Sequence, residues 1–355
     1  GRVVALGSAG AAQNTLSAVP TDLVLDRVYI HPQATQDVQR CLELNSARTQ
    51  VSDSYLVECH AKGYDSQAIV SWNGPGPFKI VNNTLQGAGE NIMFGGADPS
   101  ITNLIPGDAE IRRNYIYTPA SWKGVWTKKN LFETKNAQRL WIEGNVFEGS
   151  WTDGQVGYAF VLKVANQSGK CTWCTASDII IRNNIVRNVG GAFGITGKEG
   201  ANTNPIGALL HRLLIENNWV ENVNVAPYTG DARLVSIMQN PSDVIIRSNT
   251  MSTTGSLAQF LNIGTQNAAT NFAFQNNIAS YGNYGIFSSW FGIGETVNLQ
   301  AFQGTVSFQN TVIVGAAKSG YPNSTFVSSL SAALATGRGV SQAAVNAATQ
   351  GVVIP

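Results

Sequence analysis

Apolar residues in this chain fall in short runs rich in Val and Ile, broken by Gly, Asn and Asp. Before about residue 320 no stretch sustains a helical period, so the pattern predicts β-strands almost from end to end. One phrase recurs. In Asp178–Val189 (DIIIRNNIVRNV) a strand over Ile179–Ile181 leads through Arg182 to an Asn183-Asn184 corner, and a second strand starts at Ile185. The same wording returns as KIVNNTLQ from Lys79, EIRRNYIY from Glu110, WIEGNVF from Trp141, LLIENNWV from Leu213, VIIRSNTM from Val244 and FAFQNNIA from Phe272. Degenerate copies start at Val24, Gln50 and Val306. Counting from Leu25 to Phe308 at the equivalent apolar position gives a period of about 31 residues, in the range of stacked repeats. A second apolar segment precedes many copies, as in AFVLKV from Ala159, RLVSIM from Arg233 and QFLNIG from Gln259.

A helical repeat is excluded by 36 Gly and by a charged fraction of 13%, about half the usual share. A propeller would need tight hairpins, and two-residue Asn-Gly or Asp-Gly links are scarce. The repeated corner is explained by stacked asparagines: Asn83, Asn114, Asn145, Asn184, Asn218, Asn249 and Asn277 occupy one site in successive repeats. Asparagine tolerates left-handed backbone, and stacked amides can bond the residues above and below. They are read as structural corners rather than ligand contacts.

These asparagine corners and short β-branched strands resemble the right-handed parallel β-helix of the pectate-lyase-like superfamily, over Val3 to about Ala317. The resemblance implies an all-β solenoid of about ten rungs over 1–320. Residues 321–355 are expected to form a partly helical C-terminal cap or linker, since Ser324–Ala335 and the stretch after Ser341 have helical spacing. A helical pair lying over the last rung is the expected cap. No capping helix precedes Val3, so the first rung reads as uncapped; earlier rungs trimmed away, or self-association through that rung, would cover it. The family hosts lyases, hydrolases and adhesins, so the resemblance leaves function open.

A net charge of +1 gives no case for nucleic acid or an anionic membrane, and no apolar run approaches the ~18 residues of a membrane span. The chain opens with neither a leader nor an initiator Met, which reads as a processed end. Four cysteines, Cys41, Cys59, Cys171 and Cys174, are read as two structural disulfides rather than as a zinc or redox site. That reading implies an extracellular or cell-surface location. The histidines His31, His60 and His211 are scattered and read as loop or surface residues.

The longest insertions lie mid-chain, in Pro119–Lys129, Glu148–Tyr158 and the CTWC loop, where solenoids commonly build a binding face. Strand alternation predicts that Glu43, Ser71, Glu133, Lys163, Gly194, Ser236 and Asn262 share one outward stripe; a slip of one residue would reverse each. Glu133, Lys163 and Lys135 are then the candidate catalytic residues. Trp122, Trp126, Trp151, Tyr158 and Asp153 are the candidate substrate contacts, since aromatic rings stack on sugars. For a uronate lyase, Lys163 or Lys135 would be the base and Arg139 or Lys128 the neutralising cation. For a glycosidase, Glu133 with Asp153 or Glu148 would be the carboxylate pair. Against both stands a plain Glu133–Lys163 ion pair. The resemblance implies calcium in some relatives, but no ligands can be matched, so no cofactor is assigned. The expectation is an extracellular polysaccharide-interacting protein, with a lyase on acidic polysaccharide as the first enzymatic reading. The competing reading is a non-catalytic adhesin or a solenoid assembling end to end.

Overall fold

The computed structural model describes residues 1–355. Its strands fall into three long sheets of eleven, ten and eleven strands, and each coil of chain visits sheets A, B and C in turn. All neighbouring coils pair in parallel; among the strands the one antiparallel pair lies at the far end of sheet A, where Phe287 faces Ile293. The chain is therefore a parallel β-helix, right-handed as parallel crossovers are.

The repeated apolar position forms one unbroken file down sheet B: Leu25, Val51, Ile80, Ile111 and Ile142 lie in register, followed by Ile181, Ile215, Ile246, Phe274 and Phe308. Sheet A contributes an aromatic file, Phe94, Phe132, Phe160 and Phe193, with ring centroids 5.2–6.3 Å apart. Stacking like on like lets each coil present the same shape to the next, which is why a degenerate phrase still yields a regular core.

The bend from sheet B to sheet C carries the asparagine ladder. Asn145 Nδ2 donates to Asn184 Oδ1 (3.0 Å), Asn184 Nδ2 to Asn218 Oδ1 (3.0 Å) and Asn218 Nδ2 to Asn249 Oδ1 (2.9 Å). Each Oδ1 also accepts the backbone N–H of the preceding rung's asparagine, as from Asn145 and Asn184. The left-handed residue is the one before the ladder position (Asn82, Arg113, Gly144, Asn183, Asn217, Ser248, Asn276). In an Asn-Asn corner the first residue therefore takes the positive φ and the second builds the ladder.

Both disulfides form: Cys41–Cys59 ties sheet A to sheet C in the early coils, and Cys171–Cys174 closes the CTWC loop. The C-terminal segment departs from expectation. Its helices, Leu330–Leu334 and Gln342–Ala348, do not close the end of the stack: the first lies beside the last strands of sheet C and the second runs back along the outside of that sheet. Ala333 packs on Ile278 and Val312, and Val340 bonds Thr250 in both directions. Val345 then fills a pocket of Tyr115, Val146, Ile185 and Trp219, and the Val353 carbonyl reaches Thr84 Oγ1. Sheet C offers this strap an apolar outer face, whereas the last coil's interior is already closed by Tyr321, which packs on Phe260 and Tyr281.

Candidate functional site

The outer face of sheet A lies between two walls of loops. Chain passing from sheet C to sheet A forms one wall, including residues 118–129 and 151–157, and chain passing from sheet A to sheet B forms the other, including 163–175 and 197–209. Down the outward stripe the order is Glu43, Val70, Met93, Glu133, Val161, Gly194, Ser236 and Asn262. Two expected members therefore move. Ser71 turns inward and donates to the Leu44 carbonyl (2.6 Å), leaving Val70 on the face. Lys163 lies just beyond the end of its strand (Tyr158–Leu162), two residues past Val161.

Glu133, Lys135 and Lys163 do meet. Lys163 Nζ lies 3.1 Å and Lys135 Nζ 3.5 Å from Glu133 Oε1, while Asn130 Nδ2 donates to Glu133 Oε2 at 2.7 Å. Glu133 is wholly buried, so this is not an ion pair exposed to solvent. Burial opposes its ionisation, but the two lysines outweigh burial and hold the carboxyl below its usual range. Burial likewise opposes the charge on Lys163, and Glu133 with Glu199 (2.8 Å) overrides it, raising the lysine above its ordinary value. Lys163 is thus a fixed cation and a poor proton acceptor near neutral pH.

One coil earlier, Glu90 is also wholly buried, held by Gln67 Nε2 (2.6 Å) and by Lys129 (3.5 Å). Burial first, and then the charges of Glu133 and Asp65, push its carboxyl up to about 7. A carboxyl whose folded value exceeds its unfolded one binds more protons when folded. Its stabilising contribution is therefore complete below the unfolded value and fades as pH climbs to about 7. Glu90→Gln keeps the shape without the charge, so it is expected to melt a few degrees above wild type at about pH 8 and level with it at about pH 4. Thermal melts across pH decide this; a variant that melts below wild type at the alkaline end would refute it.

Next to this cluster, farther down the stack, sheet A opens into a cleft of about 540 Å³. Tyr158 crosses its floor. The ring lies flat over the following coil, where a Cβ at Gly191 would come within 2.8 Å of it, so only glycine leaves room. Its hydroxyl donates to Asp231 Oδ2 (2.7 Å), which also pairs with Arg233 Nη1 (2.6 Å). Burial, then Asp231, push the phenol far above its ordinary range, so it stays protonated. Lys163, Lys198, Glu199 and Ser236 also line the cleft. Lys163 and Arg233 have carboxylate partners, whereas Lys198 has neither an ion pair nor a side-chain hydrogen bond.

Several expected residues lie elsewhere. Trp122 and Trp151 are buried together against Ala88 and present no ring to solvent. Trp126 is half-buried and stacks on His60 at 3.8 Å. The loops fold over one another, which apolar tryptophans in a polar stretch do not reveal in the sequence. Asp153 caps a backbone N–H, that of Lys128 (2.8 Å). Lys128 itself is buried inside the corner, bonded to Thr118 Oγ1 (2.8 Å) and the Asn130 carbonyl (2.8 Å), and burial pushes its ammonium well below the ordinary range. It cannot serve as an open cation. Arg139 is bound to Asp108 on the outer face of sheet B, and Glu148 to Arg187 and Tyr115 on sheet C. Neither shares a face with Glu133. The sequence reading missed Lys198, Glu199, Asp231 and Arg233; the only hint is a charged loop, GKEG, between two apolar segments.

The fold and cleft define a right-handed parallel β-helix protein with a polar trough on one sheet. No protein-family model and no curated sequence matches the chain. Among solved structures it is similar to the Streptococcus pneumoniae surface protein and adhesin PfbA, at 12% identity and a TM-score of 0.50 over 87% of this chain and 90% of that one. An alginate lyase from Paenibacillus sp. str. FPU-7 aligns at 13% identity and a TM-score of 0.48, over 92% and 97%. At such identities the likeness shows the fold.

Proposed function

We propose that the protein binds an acidic polysaccharide in the cleft over Gly191 and Gly194 and cleaves it by β-elimination. The observation that carries this is the convergence of Lys163, Lys198 and Arg233 with the Tyr158 phenol, protonated in the resting protein, in one trough. A uronate carboxylate needs cations beside it before the adjacent C5 proton becomes acidic. Lys198, free of other partners, and the fixed cation Lys163 supply that charge. Glu199, bound through one oxygen to Lys163 and otherwise partly exposed, is placed to take the proton. The C5–H electron pair becomes the C4–C5 double bond, the C4–O bond breaks, and the leaving oxygen takes the Tyr158 proton, which water then restores. Glu133 and Lys135 position Lys163 from beneath. An extracellular setting accords with the two disulfides.

Incubation with alginate, pectate and chondroitin, followed by ultraviolet absorbance of unsaturated ends, tests the reaction. Retention on the same immobilised polymers tests binding, and Lys198→Ala is expected to weaken it roughly tenfold, a loss of about 1.4 kcal/mol. Retention without unsaturated product would leave a non-catalytic binder of the adhesin type. No retention on any of the three would end the proposal.

A further inference from the structure

We propose that the outer face of sheet B is a dimer interface, occupied by the same face of a second copy of this chain. Along the middle of that face Trp141, Ile180, Leu214 and Ile245 lie in register on four successive coils. Trp141, Ile180 and Ile245 are each more than a third exposed; the Arg112 and Arg182 guanidiniums flank the Trp141 ring at 4.6 and 5.5 Å, and no loop or helix covers the three. The C-terminal strap covers sheet C and the loop walls flank sheet A, so sheet B alone leaves a flat apolar spine open.

The charges on either side of the spine specify the partner. On one flank Asp108 bonds Arg139, and Asp178 bonds Arg212, all four residues at positive φ. On the other flank Arg112, Glu143, Arg182, Glu216 and Arg247 succeed one another in register. Alternation down each flank avoids like charges a strand spacing apart, and this the fold itself requires. The phase between the flanks it does not require. Yet each of these coils carries opposite charges at its two edges: Asp108 with Arg112, Arg139 with Glu143, Asp178 with Arg182. The next two coils continue it, Arg212 with Glu216 and Asp243 with Arg247.

A two-fold axis along the solenoid, between two such faces, sets each coil against the same coil of the partner with its edges exchanged. Every acidic edge then meets a basic one over five coils, and the spine meets itself. A single-sign or polar partner would find half of these edge charges repulsive; a second copy finds none at the edges, and the one like pair it brings together, Glu110 on the axis, is neutralised within each copy by Arg112 (3.0 Å). Five coils at the usual strand spacing give a patch about 24 Å tall, and seven residues of strand about 23 Å wide. The area buried is roughly 1,000 Å² over both copies, at the lower end for a specific interface, so the dimer should be reversible.

Sedimentation velocity of the intact chain from about 1 to 200 μM, at low and at high salt, tests this. A dimer is expected at the upper concentrations, weakened by salt. Ile180→Lys, on the spine, should raise the dissociation constant at least tenfold. Val24→Lys, equally outward on sheet B but outside the alternating coils, should leave it unchanged, with melting curves confirming that both variants fold. A wild-type monomer throughout the low-salt range would overturn the proposal, and so would a dimer indifferent to Ile180→Lys.

Discussion

Asn184→Ala is expected to destabilise the fold by about 4 kcal/mol, lowering the melting temperature by roughly 5 °C in a chain of this size. The side chain donates to the Ile142 carbonyl (3.1 Å), the Arg182 carbonyl (2.9 Å) and Asn218 Oδ1 (3.0 Å). Its own oxygen accepts from the backbone and side chain of Asn145. Alanine leaves the Asn145 N–H buried without an acceptor, which costs about 1–3 kcal/mol, reduces the Asn145 amide to the Ile111 carbonyl alone, and removes the donor from the Ile142 and Arg182 carbonyls. Water cannot replace the amide, since Asn145, Asn184 and Asn218 are all fully buried. Asn277, at the end of the ladder, donates only to the Ile246 carbonyl and accepts from Asn249, so Asn277→Ala should cost clearly less. Denaturant titration of the two variants measures the difference. Equal losses would mean that the ladder does not act as a chain of mutually dependent bonds.

Tyr158→Phe should reduce β-elimination by about 10²–10⁴-fold while leaving polymer retention within a factor of about two. The phenol is the proton donor at the floor of the cleft, and phenylalanine preserves the ring that rests on Gly191 and Gly194. Asp231 keeps Arg233 as a partner, so the variant should fold normally. Initial rates of unsaturated-end formation at saturating polymer provide the readout. Undiminished turnover would remove Tyr158 from the reaction and require the leaving oxygen to take its proton from water.

The fold could be read from the sequence because each coil repeats one physical problem. A β-branched residue fills the interior, and an amide pair turns the corner, so even Leu25, Val51 and Phe308 in degenerate copies fall into register. The site was only partly readable, for reasons that are equally local. Glu133 could be placed on sheet A because it belongs to the strand pattern, and Lys163, two residues past its register partner Val161, still reaches it from beyond the strand end. Ser71 was misplaced by one residue, since Ile69 and Ser71 face inward and Val70 outward in an unbroken alternation that the short run QAIVS does not phase by itself. Tyr158 and Asp231 are 73 residues apart and meet only because a wide ring spans the glycines of the intervening coil. The tryptophan loops look exposed in isolation, and their mutual burial depends on contacts between coils that no single repeat contains.

A stack of repeats whose members touch only their neighbours can fray from either end, one unit at a time. Here the strap threads from Val312 back past Gly144, where the Ala348 carbonyl sits so near that any side chain would collide, and on to Thr84. Fraying of any intermediate coil must therefore also loosen the tether that binds its distant neighbours. The thread turns a ladder of separable pieces into a single unit of unfolding, and it makes the final two dozen residues as much a part of the barrel's cohesion as any of its strands.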